Sequence, residues 1–151
     1  MITLSTFMAR NTGLHLDWDR HYGAQCVDLI EFYLRDVLGL PPLAGNAVDE
    51  YGENSRFLTW THKAVAGYGP GAATSSTRNP TNRPPYGSIV VWGPSTIVGT
   101  GVNGHTAIAL NAYADHFISF DQNWPVGSPC HQVKHTYPGV IGWAIPRTSF
   151  E

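Results

Sequence analysis

An apolar stripe of helical period begins at Cys26 and runs through Ile30, Tyr33, Leu34, Val37 and Leu38. Spacings of three and four residues put these side chains on one face of a helix, whereas a strand would divide them between two faces. The stripe stops at Gly39, followed by Leu40, Pro41 and Pro42. That is a glycine terminus with a hydrophobic residue behind it and prolines that cannot continue the turn. The chain therefore contains a helix of bounded length, with a face that must be covered and a cysteine in its first turn. Gly23 and Ala24, just upstream, leave room for another segment or a substrate to come close.

A thiol at a helix start meets unpaired N–H groups and the positive end of the helix dipole. Both favour a thiolate, and the same N–H groups can cradle an oxyanion. The plain alternative is a core cysteine packed on the apolar stripe. Partners elsewhere in the chain decide between the two.

Charged residues make up only 13% of the 151 positions and the formal net charge is −2, with no basic patch, so nucleic acid is not an expected partner. No apolar run is long enough to insert across a membrane. The length suits one domain, residues 1–151, that can bury a core without staples. Two cysteines are no disulfide framework. A Cys26–Cys130 bridge would disable a nucleophile, so both thiols are expected free. The start, MITLSTFMARNTG, lacks the charged lead, apolar core and cleavage site of a secretory signal. A chain that stays in the cytoplasm, one that leaves by another route, and one domain of a longer protein all fit.

Residues 1–16 read as a short helix or arm anchored by Leu4, Phe7 and Met8, and Asn46 as the cap of a short helix through Tyr51. From Ala64 to Tyr86 the composition turns to Gly, Pro, Ser, Thr and Asn, which predicts a long surface loop. Strand signals follow at Ser88–Trp92, Ala107–Leu110 with its flanks, Phe117–Phe120 and Val140–Ile145. Helices first and antiparallel strands after predict an α+β fold, with the helices on one face of the sheet.

The segment Asn111 to His116 is a natural turn, so its flanking strands should form a hairpin. That register sets His105 opposite the stretch Asp121–Gln122–Asn123. If the Cys26 helix packs across this end, a nucleophile, a base and an orienting group come together. His105 would take the thiol proton or hold the thiolate as an ion pair, and Asp121 or Asn123 would fix its tautomer. The other six histidines, His15, His21, His62, His116, His131 and His135, offer no comparable geometry. The run CHQVKH at Cys130–His135 holds a thiol and two imidazoles but no fourth metal ligand nearby.

The blocks YGAQCVDLIEFYL, YGSIVVW, NGHTAIAL, FDQNW and VIGWAIP, in this order, resemble those of the CHAP domain. These are cysteine- and histidine-dependent amidohydrolases and peptidases of the papain-like superfamily, common in bacteriophage endolysins and bacterial wall hydrolases. The resemblance runs from about Asp17 to Pro146. It implies a papain-like α+β fold and cleavage of an amide bond in bacterial peptidoglycan, by an endopeptidase or an N-acetylmuramoyl-L-alanine amidase. Carried over by position, Cys26 corresponds to the nucleophile, His105 to the general base, Asp121 to the acidic third member and Asn123 to the nearby amide. The chain departs from the pattern at Gly87–Ser88, where glycine–aspartate is frequent, and at Asp121, where glutamate is usual. Gln25 is an expected oxyanion or substrate contact, and Tyr86, Trp92 and Trp124 are expected to line the groove. The implied route is synthesis in the host cytoplasm and action at the wall, with a wall-binding domain on a longer chain or a separate subunit. Rival readings are a non-catalytic wall-binding module, and an intracellular thiol amidase or antibacterial toxin.

Counting Asp17 as one, Asp19, His21, Gly23 and Asp28 fall at three, five, seven and twelve, the ligand spacing of a calcium loop. Calcium-dependent CHAP lysins have a similar run before the cysteine. Tyr22 stands where such a loop has its turn glycine, and Arg20 adds a positive charge. The expected cofactor is a calcium ion, with His21 contributing its carbonyl; no organic cofactor is expected.

Overall fold

The computed structural model describes residues 1–50, 52–62, 83–94 and 99–147. Most of the predicted 64–86 loop, and Tyr51 at the end of the predicted short helix, lie outside the described residues. Helix α1 spans Leu4–Asn11, capped by Thr3, whose hydroxyl accepts the Thr6 N–H at 3.1 Å. It presses Phe7 edge-on to Phe120, with ring centroids 6.4 Å apart. Helix α2 spans Cys26–Tyr33 and continues as a wider π-helical turn over Leu34–Leu38. Gly39 ends it with φ 64°, a left-handed conformation that suits glycine, and the Leu40 N–H returns to the Leu34 carbonyl at 2.9 Å. A one-turn helix, α3, covers Ala47–Glu50.

Six strands follow: β1 (Leu58–His62), β2 (Ile89–Trp92), β3 (His105–Ala112), β4 (His116–Asp121), β5 (His131–Thr136) and β6 (Val140–Pro146). They form one antiparallel sheet in the order β1-β6-β2-β3-β4-β5 among the described residues. The fold is α+β of the papain-like kind, as expected. Strands β1 and β5 go beyond the sequence reading, and both are edge strands.

Alternation along the strands sorts the core into two layers. Ile89, Ile108, Leu110, Phe120 and Ala144 face the helices and pack with Leu4, Phe7, Leu29, Ile30 and Tyr33. Val90, Trp92, Ala107, Ala109, Phe117 and Trp143 form a second cluster with Tyr137 and Val140. Strands β2 and β3 are buried on both faces, and so they read as nearly continuous apolar runs. The Tyr33 hydroxyl donates to the Gly87 carbonyl at 2.7 Å, which fastens α2 to the start of β2. The site residues leave this scaffold at the sheet end where β3 begins and β4 finishes.

Candidate active site

The start of α2 is fixed from both sides. The Asp28 carboxylate accepts the Gln25 N–H at 2.8 Å, which locks the first turn. Gln122 ties that turn to the end of β4: its amide nitrogen donates to the Gln25 carbonyl at 2.7 Å and to the Leu16 carbonyl at 2.8 Å. Its oxygen accepts the Leu16 N–H at 2.6 Å and the Cys130 thiol at 3.2 Å. Gln122 is fully buried, so each of these bonds replaces water that cannot reach it.

Cys26 is thereby held over the first residues of β3, where the main-chain N–H groups of Thr106 and Val27 act on its sulfur. It shares a cavity of about 360 Å³ with His105, together with Gln25, Ala47, Asn123 and Trp124. Burial pushes the Cys26 thiol up to about 12, the two N–H groups pull it down, and the negative charges of Glu50 and Asp121 push it up. Burial therefore opposes the thiolate that the helix start alone favours. A helix terminus contributes on the order of 1 kcal/mol, and desolvation can shift a pKa by roughly 3 to 5 units, so burial prevails.

His105 sits at the head of β3 because Gly104 turns the chain there. Gly104 has φ 72°, and a Cβ on it would lie 2.3 Å from the Trp92 carbonyl oxygen. The His105 ring is buried, 5.1 Å from Trp92 and 4.8 Å from Trp124 by ring centroids. The β3–β4 register, with Ile108 across from Phe120 and Ala109 from Ser119, brings His105 to the end where Asp121 lies. The Nε2 of His105 is 2.7 Å from Asp121 Oδ2. Burial would raise the Asp121 pKa, but hydrogen bonds from His105 and His135 outweigh it and hold the carboxylate down at about 2. An ionised Asp121 requires a proton of His105 on Nε2.

Asn123 does not orient His105 among the described contacts. Its side-chain oxygen accepts the Gly127 N–H at 2.7 Å and its own N–H donates to Ser128, closing a turn in which Asn123 has φ 62°. It lines the cavity together with Gln25 and Trp124. Trp92 and Tyr86 do not line it. Trp92 is 3% exposed and stacks on Phe117, so it supports the histidine from beneath. Tyr86 is on a separate hollow with Arg83, Pro84, Pro85, Asn111 and Tyr113.

His135 is the residue that the sequence reading passes over. Its Nε2 is 2.7 Å from the same Asp121 Oδ2, and the Ser119 hydroxyl donates to Oδ1. His105, Asp121 and His135 also have the donor types of a metal site. Their 2.7 Å contacts are hydrogen-bond lengths, however. Ligands of a tetrahedral zinc with bonds of about 2.05 Å stand roughly 3.3 Å apart, so the contacts fit shared protons better than a shared ion. The Cys130–His135 run scatters: Cys130 bonds Gln122, His131 bonds the Trp124 carbonyl at 2.6 Å, and His135 bonds Asp121. Both cysteines are free.

Beside the helix start, carboxylate oxygens of Asp17, Asp19 and Asp28 lie within 4.8 Å of one another. Asp17 accepts the Arg20 N–H and Asp19 the His21 N–H, each at 2.8 Å. Tyr22, at the turn position, has φ 62°, the left-handed conformation a glycine would take there, and Gly23 follows with φ 73°. Trp18 fastens this loop to α2 by an edge contact on Phe32 at 5.1 Å, with the Arg35 guanidinium over both rings. Burial raises the Asp28 pKa, as do the charges of Asp19 and Asp17.

A cysteine at a helix start, sharing a cavity with a histidine that an ionised aspartate backs, has the parts that thiol-based acyl transfer requires. No protein-family profile matches the chain. It is 32% identical over 152 residues to the endolysin PlyTW of Staphylococcus phage Twort, an alignment that covers 93% of this chain and 28% of that protein. The fold is similar to the crystal structure of the wild-type endolysin LysIME-EF1, with a TM-score of 0.69 and 27% identity over 97% of this chain and 65% of that one. The chain thus spans little more than a quarter of the curated relative.

Proposed function

We propose that this chain is the catalytic module of an endolysin of the CHAP class, a cysteine amidohydrolase or peptidase that cleaves an amide bond of bacterial peptidoglycan. The observation that carries the reading is the 2.7 Å bond from His105 to a buried, ionised Asp121, at the cavity that Cys26 opens onto. The similarity to two endolysins supports the substrate class.

In this mechanism the resting thiol is neutral. As Cys26 sulfur attacks the carbonyl carbon, its proton passes to His105 Nδ1, and Asp121 stabilises the imidazolium. The Cys26 N–H, unpaired by its position at the helix start, faces the developing oxyanion. His105 then gives its proton to the leaving amine, and the C–N bond breaks to leave a thioester. Water resolves the thioester with His105 again as base, restoring thiol and imidazole.

The Asp17 loop fits a calcium ion by donor chemistry. Asp17 and Asp19 each have one oxygen on a main-chain N–H, which leaves a second for a cation, while Asp28 accepts from the Gln25 and Trp18 N–H groups. His21 and Gly23 would add carbonyls. Such an ion would tie the loop to Asp28 and so to the helix that presents Cys26. Among the described residues no helix is long and apolar enough to cross a membrane. The proposed route is synthesis in the host cytoplasm and release to the wall, with wall binding supplied by a further domain or subunit. That division of labour accords with the 28% share of the relative.

Purified peptidoglycan digested by the wild type and by Cys26→Ala, with mass spectrometry of the products, tests the reading. Wild type should release new N-termini or free muramoyl carboxyls, which also name the bond. Cys26→Ala, with an unchanged circular dichroism spectrum, should release neither. Cleavage by that variant would overturn the thiol mechanism.

A further inference from the structure

Asp121 Oδ2 holds two imidazoles at the same distance, His105 and His135, each through Nε2 at 2.7 Å. Only His105 belongs to the cavity that contains Cys26. His135 is 7% exposed and enclosed by Trp92 at 4.6 Å, Trp124 at 5.5 Å and Phe117 at 5.6 Å between ring centroids. Its neighbours on β5, Lys134 and Thr136, are exposed, so the edge strand turns this one polar ring inward. An imidazole buried among aromatics is costly unless its N–H is used, and here the N–H is spent on the carboxylate that orients His105.

We propose that His135 is a positioning residue, a second donor that fixes Asp121 and shares its charge, and thereby sets the basicity of His105. The proposal rests on the thiol-hydrolase reading only for the identity of the base. Two N–H groups on one ionised oxygen require both rings to carry a proton on Nε2. With the Ser119 hydroxyl on Oδ1, the carboxylate has three donors. Charge divided among three donors draws less on the His105 imidazolium than charge directed to one. The other titratable groups near this pair are Cys26 and, beyond it, Glu50 on the helical side, and His131, whose Nε2 is engaged by the Trp124 carbonyl. The enclosing rings of Trp92, Trp124 and Phe117 do not titrate.

The test compares His135→Gln, whose amide nitrogen can replace the Nε2 donor, with His135→Phe, which fills the space and donates nothing. The readouts are the acid limb of kcat/KM on soluble muropeptides and the His105 imidazole titration by NMR. In His135→Phe both should move up by about one pH unit, a size ordinary for one lost charge contact, and His135→Gln should titrate like the wild type. An unmoved titration in His135→Phe, or the same shift in both variants, would make His135 a packing residue and overturn the proposal. Should His135→Phe not fold, the wild-type imidazole ¹⁵N spectrum decides: a proton on His135 Nδ1 instead of Nε2 at neutral pH also overturns it. The titration can be read in the Cys26→Ala background, so its result is independent of whether the chain cleaves peptidoglycan.

Discussion

Replacing Asp121 by asparagine keeps the shape of the side chain and removes its charge. The carboxylate takes donors from His105, His135 and Ser119. An amide offers one acceptor oxygen and turns two protons toward the remaining donor, so at least one of the three loses its acceptor. The folded carboxylate has a pKa of about 2 against 3.8, because the two histidine hydrogen bonds outweigh the burial that would raise it. A depressed carboxylate contributes stability above its unfolded pKa and loses it as pH falls through the folded one. At about 1.4 kcal/mol per unit, that is roughly 2 kcal/mol present above pH ~4 and gone below pH ~2. Denaturant unfolding should therefore find Asp121→Asn weaker than the wild type by about that amount near pH 6, with the gap closing toward pH 3. Turnover should fall by about 10² to 10⁴, since the amide can favour the wrong imidazole tautomer and leaves the imidazolium without a counter-charge. Muropeptide release within threefold of wild type, or a stability gap that ignores pH, would refute the reasoning.

Glu50 is fully buried and its pKa is well above 4.5, first from burial and then from the neighbouring charge of Glu31, itself raised to about 7 by burial. A raised carboxyl loses folded-state stability as pH rises through its range, so Glu50→Gln should melt higher than the wild type at pH 8.5, by a margin that disappears near pH 5; equal melting at pH 8.5 would refute this. Gly104→Ala, with a Cβ 2.3 Å from the Trp92 carbonyl oxygen at φ 72°, should lose about 1 to 3 kcal/mol in urea and lose wall cleavage with it, because the shift is passed directly to His105. Chelation should lower both the melting temperature and activity, with calcium but not magnesium restoring them. Calcium affinity should weaken as pH falls, since the Asp28 carboxyl is raised by burial and by Asp19 and Asp17; a flat calorimetric titration would remove the ion from this loop.

Cys26 and His105 are legible in the sequence because each is placed by a short-range rule. A helical stripe with a glycine stop defines where α2 starts, and one turn between two apolar runs defines the β3–β4 hairpin. His135 follows no such rule. Its strand, HQVKHT, has its outward positions Gln132, Lys134 and Thr136 exposed, and of its inward ones only His135 is buried. A strand that covers the sheet at a single position carries no apolar period, and β1 at the opposite edge is similarly short. Trp92 reads as a groove aromatic until β2 is seen to be buried on both faces. The burial of Cys26 escapes the sequence for a related reason: helix position is local and visible there, while desolvation is the work of residues brought in from α3, β3 and β4.

Gln122 shows how the two kinds of information meet. The proposed catalytic parts come from opposite layers, Cys26 from the helical side and His105 with Asp121 from the other face of the sheet, so their separation depends on how firmly α2 is held against the end of β4. Apolar packing between helix and sheet is tolerant of small slides, whereas a hydrogen bond loses its value within a few tenths of an ångström. Gln122 supplies that stricter constraint. It directly follows Asp121, bonds the Gln25 carbonyl at the start of α2, and takes both main-chain groups of Leu16, which leads into the Asp17 loop. One buried amide thus fixes the Cys26 helix, the carboxylate loop and the aspartate strand to one another. Cys130 completes the set as a donor to the same amide oxygen, a role that a serine hydroxyl can fill and an alanine cannot. The second thiol is therefore part of the frame that sets the spacing between Cys26 and His105, without approaching the chemistry itself.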